Sequence, residues 1–298
     1  MGDGMRPGRS AWARNVLGLV AALTLAACAE AGLLDPAGPV ARQERTMFFN
    51  AVVIMLMIIV PIIVLTLYFA WRYSAAAPKG KYAPEWSYSG RLELLVWSIP
   101  ALVVIFLAGI AWIGSHELDP PRPLRSNVRP LEVQVVALDW KWLFIYPEQG
   151  VATVNYLALP AGTPIRFRIT SGTVMNSFII PRLGSQIYGM AGMDGKLHLQ
   201  ADQPGRYWGL SAHYSGEGFS DMMFLADAMP PARFQAWARG TKARGGAVLD
   251  GPEYLKLERT AATSRAYAYP AVVPGLYKAA LKHSGTDARE QARTGRED

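Results

Sequence analysis

The stretch SAHYSGEGFSDMMF, residues 211–224, determines how the rest of this sequence is interpreted. Ser211 and Ser215 stand four residues apart, Phe219 follows after another four, and Met222 comes three residues later. With cysteines at the two serine positions and a histidine at Phe219, this spacing would form a copper-binding loop. The sequence therefore has the spacing of a metal loop without the residues that would bind the metal.

Short apolar or alternating runs surround this stretch and are separated by Gly, Pro and Asn. They include LEVQVVALDW (131–140), KWLFIY (141–146) and PIRFRIT (164–170). Runs of this kind over about 100 residues predict an antiparallel β-sandwich or a small barrel. We place a sandwich at residues 130–228.

The residues after the predicted sandwich have a different composition. We expect an aromatic-rich, mostly irregular C-terminal arm with one short helix at 229–283, and a polar, disordered tail at 284–298.

Two long apolar segments precede the sandwich. They are MFFNAVVIMLMIIVPIIVLTLYFAW (47–71) and LELLVWSIPALVVIFLAGIAWI (92–113). As helices they reach roughly 37 Å and 33 Å, enough to cross a bilayer. Trp and Tyr near their ends favour membrane spans over buried core helices. We therefore predict a transmembrane hairpin at 46–113 and a linker at 114–129, which makes the chain a membrane-anchored α+β protein.

The N-terminus has the features of a bacterial lipoprotein signal. Basic residues precede the apolar run NVLGLVAALTLAAC (15–28), whose last four residues resemble a lipobox. The sequence predicts a signal peptide at 1–27, acylation of Cys28, and a periplasmic leader at 28–45. An ordinary signal peptide with an incidental cysteine remains the alternative.

The charges between the two spans indicate the orientation of the hairpin. This loop carries Arg72, Lys79, Lys81 and Arg91 against Glu85, a bias typical of the cytoplasmic side. The prediction is a multi-pass lipoprotein of the bacterial inner membrane, in contact with lipid, whose large domain lies on the periplasmic side.

Charge and cysteine content exclude other classes of protein. The formal net charge is +7, but the basic residues are spread along the chain and form no dense patch, which argues against nucleic acid as a partner. Cys28 is the only cysteine. An intramolecular disulfide, or a site that needs two thiolates, is therefore excluded.

Three segments carry a resemblance to subunit II of the haem–copper respiratory oxidases. They are VALDWKWLFIYPEQGVATVN (136–155), VMNSFIIPRLGSQIYGMAGM (174–193) and the 211–224 stretch itself. The resemblance covers residues 28–283 in order and implies a cupredoxin-like sandwich. In the branch of the family that oxidises cytochrome c, this domain holds a two-copper centre.

Carried over residue by residue, the resemblance implies that most copper ligands are lost. The two His positions fall on Asn176 and Phe219, and the two Cys positions fall on Ser211 and Ser215. The Met position falls on Met222, and the residue that supplies the backbone carbonyl falls on His213. Only the methionine is retained, and serine hydroxyls are poor substitutes for the soft thiolates that copper needs.

Loss of the ligands with retention of the loop resembles the quinol-oxidase branch, the bo-type ubiquinol oxidases in particular. The resemblance implies that this chain binds no redox group and no metal, while haems, copper and ubiquinol are bound by the partner subunit I. Further small membrane subunits are expected as partners. A lipid-anchored cupredoxin-like module for binding or assembly, outside any oxidase, remains the alternative.

Two further groups of residues are candidates for a role in such a complex. Glu93 is the acid within the apolar spans, and intramembrane acids are functional candidates. With Trp97 and Pro100 it matches the family pattern at the mouth of a proton-uptake path, although an interfacial Glu paired with Arg91 is the alternative. Asp139, Trp140 and Trp142 either pack in the core or contribute to a subunit interface.

Overall fold

The computed structural model describes residues 32–74, 85, 87–260 and 265–294. The predicted signal peptide and Cys28 lie outside these residues. After a short 3-10 helix at Gly32–Leu34, the described helices are α1 (Pro39–Arg72), α2 (Gly90–Glu117), α3 (Pro231–Ala243), α4 (Gly251–Arg259) and α5 (Leu276–Thr294).

Most strands lie between α2 and α3. They are β1 (Leu131–Leu138), β2 (Lys141–Tyr146), β3 (Val151–Val154), β4 (Tyr156–Pro160), β5 (Ile165–Ser171), β6 (Asn176–Ile180), β7 (Gly184–Gly189), β8 (Gly195–Leu199), β9 (Gly205–Ser211) and β10 (Met223–Met229). Three short strands follow α3: β11 (Val248–Leu249), β12 (Tyr267–Tyr269) and β13 (Ala271–Val272).

In the described residues, the strands form two main sheets. One has the order β12-β3-β2-β1-β5-β8, the other has the order β4-β10-β9-β6-β7, and β11 pairs separately with β13. The prediction of an antiparallel sandwich is wrong in part, because β1 pairs with β5, and β4 with β10, in parallel. Crossovers between the two sheets bring these strands side by side in the same direction.

Strand β2 is buried on both faces. Trp142, Phe144 and Tyr146 point towards the second sheet, where Trp142 lies edge-on to Phe178 with ring centroids 5.3 Å apart. The alternate residues Leu143 and Ile145 pack in a separate apolar cluster with residues of the C-terminal segment. A strand covered on both sides needs a continuous apolar run, and KWLFIY is such a run except for its lysine.

The C-terminal segment is more regular than the sequence indicated. Residues 229–283 contain α3, α4 and the start of α5 rather than a mostly irregular arm, and α5 continues to Thr294, so the described part of the predicted disordered tail is helical. Tyr254, Tyr269 and Tyr277 are buried against the outer face of the first sheet. Burial of these rings stabilises helices whose local sequence is a weak signal.

The chain before the membrane segment is attached to the sandwich. The helix α1 begins at Pro39, within the predicted leader, since proline is favoured in a first helical turn. The Ala41 N–H donates to the Leu183 carbonyl at 3.2 Å, and Arg42 forms an ion pair with Asp202. The Ala41 bond satisfies one of the backbone N–H groups that a helix start leaves open.

Helices α1 and α2 are long and apolar enough to cross a membrane. They contain 34 and 28 residues, and their most apolar windows are not buried in the described protein. A Cβ on Gly114 of α2 would lie 1.9 Å from the Cε of Met47 in α1. The glycine therefore permits close contact between the two helices at this point.

Gly209 provides a test of core packing. A Cβ at Gly209 would lie 2.0 Å from the Phe224 Cζ, and the Phe224 ring is buried and stacked on Phe178 at 5.2 Å. We expect Gly209→Ala to lower the free energy of unfolding by about 1–3 kcal/mol through overpacking. Thermal unfolding of the full-length chain in detergent measures the change.

Gly240 is the matched control, because a Cβ there meets no atom within 4 Å. It lies inside α3, so Gly240→Ala should stabilise the chain by about 0.5–1 kcal/mol. Equal stability of the two alanine variants would contradict the packing described for Phe224.

Candidate functional site: the loop between β9 and β10

The loop at residues 212–222 connects β9 to β10 and contains four of the positions that the sequence matched to copper ligands: His213, Ser215, Phe219 and Met222. Ser211 ends β9, and the pairing of β9 with β6 brings it beside Asn176, the first residue of β6. Met222 follows a 3-10 turn at Phe219–Asp221 and directly precedes β10. Asn176, Ser211 and Met222 are each at most 3% exposed. The strands therefore bring these three side chains together at one end of the second sheet.

The Ser211 hydroxyl is hydrogen-bonded to groups from two segments, the start of β6 and the loop itself. It lies 3.1 Å from the Asn176 Oδ1 and 3.3 Å from the His213 carbonyl oxygen, either of which can accept its proton. The Ser177 N–H donates to it at 3.5 Å. In addition, the Ser211 N–H donates to the Met222 carbonyl at 3.1 Å, which closes the loop. These bonds satisfy polar groups that would be costly to bury alone.

The other two predicted positions lie on the loop and are half-buried. Phe219 packs edge-on against Tyr214, with centroids 5.7 Å apart. The Ser215 Oγ is shielded from solvent and has no hydrogen-bond partner within the described part of the chain. The Asn176 side-chain amide donates to the Val174 carbonyl at 3.1 Å, so its nitrogen is already engaged within the protein.

Two tryptophans contact the loop, Trp140 from the β1–β2 turn and Trp142 from strand β2. The Trp140 Nε1 donates to the Ser215 carbonyl at 3.2 Å, and a Cβ on Gly218 would lie 2.5 Å from the Trp140 ring. The Trp142 Nε1 lies 3.4 Å from the Met222 carbonyl. The two indoles thus bind one carbonyl in the middle of the loop and one at its end.

The residues at this site do not fit the two-copper centre of the cytochrome c branch. Such copper is held by thiolate, imidazole and thioether ligands, whereas the grouped side chains are an amide, a hydroxyl and one thioether. Among the described residues, no group of three or more His, Cys, Asp or Glu side chains could hold a metal ion. The arrangement suits a hydrogen-bonded, metal-free loop.

Sequence reasoning missed Lys141 in this region. Its side chain is 0% exposed, and its Nζ donates to the carbonyls of Thr260 at 2.7 Å and Asp139 at 3.2 Å. Burial lowers the pKa of Lys141, while the nearby Asp139 and Glu258 carboxylates raise it. A lysine that opens a strand buried on both faces, in KWLFIY, was the available signal.

The remaining predicted residues lie elsewhere. The Asp139 carboxylate accepts a hydrogen bond from the Thr173 hydroxyl at 2.7 Å, so it ties the β1–β2 turn to the turn after β5. Glu93 lies in the first turn of α2, where its N–H donates to the Ser89 carbonyl at 3.0 Å and its side chain is exposed. Cys28 is outside the described residues.

Comparison with known proteins identifies the family. Residues 146–229 match the family model described as cytochrome c oxidase subunit II, periplasmic domain. Ubiquinol oxidase subunit 2 of Acetobacter aceti is 49% identical over 262 residues, covering 87% of this chain and 84% of that protein. This chain belongs to the ubiquinol oxidase subunit 2 family. The predicted resemblance and the cupredoxin-like sandwich are therefore confirmed.

Other members of this family are also similar to the chain, with sequence identities from 50% down to 35%. Cytochrome bo(3) ubiquinol oxidase subunit 2 of Pseudomonas aeruginosa is 50% identical over 242 residues, or 80% of this chain and 73% of that protein. Quinol oxidase subunit 2 of Bacillus cereus is 35% identical over 208 residues, or 70% of this chain and 72% of that protein. The two apolar helices and the periplasmic-domain match fit a membrane-anchored subunit.

The Ser211 hydroxyl gives a direct test of the hydrogen bonds in the loop. Ser211→Ala removes one hydroxyl and leaves the buried Ser177 N–H without its acceptor. We expect a loss of about 1–3 kcal/mol in the free energy of unfolding, measured by denaturant titration of the full-length chain in detergent. Exposed Ser220 in the same loop is the control, and Ser220→Ala should change stability by less than about 0.5 kcal/mol. A Ser211→Ala chain as stable as the control variant would show that the hydroxyl does not hold the loop.

Proposed function

We propose that this chain is subunit II of a terminal quinol oxidase that couples quinol oxidation to the reduction of oxygen to water. The observation that carries the proposal is the 212–222 loop. It is closed by a hydrogen bond between Ser211 and Met222, and the amide of Asn176 and the hydroxyl of Ser211 occupy two positions that correspond to copper ligands. An electron relay from a soluble cytochrome needs a metal at this point. A lipid-soluble quinol delivers its electrons directly to another subunit and needs no such relay.

The proposed role of the chain is structural and does not include a redox step. Haems, copper and ubiquinol would bind to a haem-bearing subunit I, with further small membrane subunits in the same complex. The names of the relatives support this proposal. They favour it over an assembly module that acts outside an oxidase.

We also propose that Cys28 is acylated and becomes the first residue of the mature chain when the signal peptide is removed. Two membrane-spanning helices alone anchor a protein almost irreversibly, so the lipid would add a second contact with the membrane at the mature N-terminus. The intact mass of the purified chain tests this, and an unmodified Cys28 would exclude acylation.

Purification from bacterial membranes tests the proposed function. The full-length chain should copurify with a multi-span, haem-bearing partner, and the complex should take up oxygen with ubiquinol but not with reduced cytochrome c as electron donor. A chain recovered without haem, or a complex driven by cytochrome c, would contradict the proposal.

For Glu93 we propose a role in proton entry from the cytoplasmic side. Glu93 and Trp97 are four residues apart in α2 and therefore lie on the same face of the helix. Both side chains are exposed, and Trp97 is 77% exposed. An exposed acid and tryptophan at the end of a membrane helix are suited to contact with subunit I, where the carboxylate would exchange protons with water.

Substitution of Glu93 gives a graded prediction. Glu93→Ala and Glu93→Gln should lower quinol-dependent oxygen uptake per haem by at least about tenfold, or ~1.4 kcal/mol on the limiting barrier, because neither side chain carries the proton. Glu93→Asp should retain part of the activity. Haem content and assembly should remain normal, since alanine is compatible with a helix end.

Glu117 at the other end of α2 is the control. It is also an exposed acid, and Glu117→Gln should leave turnover unchanged. Normal turnover in both Glu93→Ala and Glu93→Gln would assign Glu93 to an interfacial role without proton transfer.

A further inference from the structure

The turn between β1 and β2 places Trp140 in an unfavourable backbone conformation. Leu138 pairs with Lys141 across a two-residue turn, and Trp140 has φ of +54°. Glycine or asparagine is usual at such a position, and a bulky residue there costs about 1–2 kcal/mol. Contacts elsewhere must therefore maintain this conformation.

Lys141 makes the contact that spans this turn. Its ammonium donates to the carbonyl of Asp139, on the other side of Trp140, at 3.2 Å. The same group donates to the Thr260 carbonyl at 2.7 Å, and Thr260 is the C-cap residue of α4. One buried cation therefore joins the turn to the end of a C-terminal helix.

The helix α4 is fixed close to the sandwich near Lys141. A Cβ on Gly172 would lie 2.9 Å from the Glu258 Oε1 and 3.1 Å from the Tyr254 hydroxyl oxygen. The Tyr254 hydroxyl donates to the Glu258 Oε1 at 3.2 Å, and the His283 Nε2 of α5 lies 3.6 Å from the Glu258 Oε2. Two C-terminal helices thus meet at the Glu258 carboxylate, whose charge raises the pKa of Lys141.

We propose that Lys141 is a positioning residue through which the C-terminal segment holds the 212–222 loop in shape. The ammonium fixes the left-handed Trp140, and the Trp140 ring in turn packs on Gly218 and binds the Ser215 carbonyl. In this arrangement a buried cation and an indole stabilise a loop that has no metal. The effect on the loop concerns this chain alone, whereas a consequence for docking to subunit I rests on the proposed function.

Hydrogen exchange of the full-length chain in detergent tests the proposal. Lys141→Met keeps most of the apolar stem and removes the charge. Amides at 212–220 should then exchange at least about tenfold faster, while the β9–β10 ladder keeps its protection. Lys141→Arg, which keeps a cation and several donors, should restore part of the loop protection. A role limited to general stability would instead raise exchange throughout the sandwich.

Lys256 is the matched control, because it lies in α4 and its exposed ammonium pairs with Glu253 at 3.5 Å. Lys256→Met should leave loop exchange unchanged. If Lys141→Met prevents folding, Glu258→Gln replaces it. This variant keeps the side-chain shape and removes the carboxylate charge that favours the charged form of Lys141, and it should also raise loop exchange selectively. Unchanged loop protection in Lys141→Met, or in Glu258→Gln when that variant is used, would overturn the proposal. The experiment needs no partner subunit, so its outcome is separate from that of the copurification test.

Discussion

Strand β2 must be buried on both faces, and the arrangement of the large domain follows from this constraint. Its inward rings pack with Phe178 and Phe224 between the two sheets, and its outward residues pack with the C-terminal segment. The Trp142 indole also donates to the Met222 carbonyl at the end of the 212–222 loop. The Lys141 ammonium donates to the Thr260 carbonyl at the end of α4. One strand therefore connects the core, the C-terminal helices and the 212–222 loop.

The 212–222 loop has the residue spacing of a copper-binding loop, but the side chains grouped beside it are those of Asn176, Ser211 and Met222. Metal binding normally contributes folding free energy, and here the contacts are hydrogen bonds from Ser211 and from two indoles. Each bond contributes only about 1 kcal/mol net, so several together are needed to fix the loop. Aromatic packing around Trp142 adds to them.

Much of the fold could be predicted from the sequence, and the misses have physical causes. Apolar lengths predicted the two helices, and short alternating runs predicted the sandwich. The parallel pairs β1–β5 and β4–β10 depend on crossovers between sheets, which no local pattern encodes. The C-terminal helices form by packing their tyrosines on the outer face of β2 and its neighbours. Lys141 was missed because its ammonium donates its shorter hydrogen bond to the Thr260 carbonyl, which is distant in sequence.

The central claim is that the 212–222 loop is stable without copper and does not bind it. The full-length chain in detergent should be incubated with excess Cu(II), desalted, and measured for copper content, absorption spectrum and hydrogen exchange of the loop. We expect no stoichiometric copper and unchanged loop protection. One or two tightly held copper ions per chain, together with newly protected loop amides, would contradict the account.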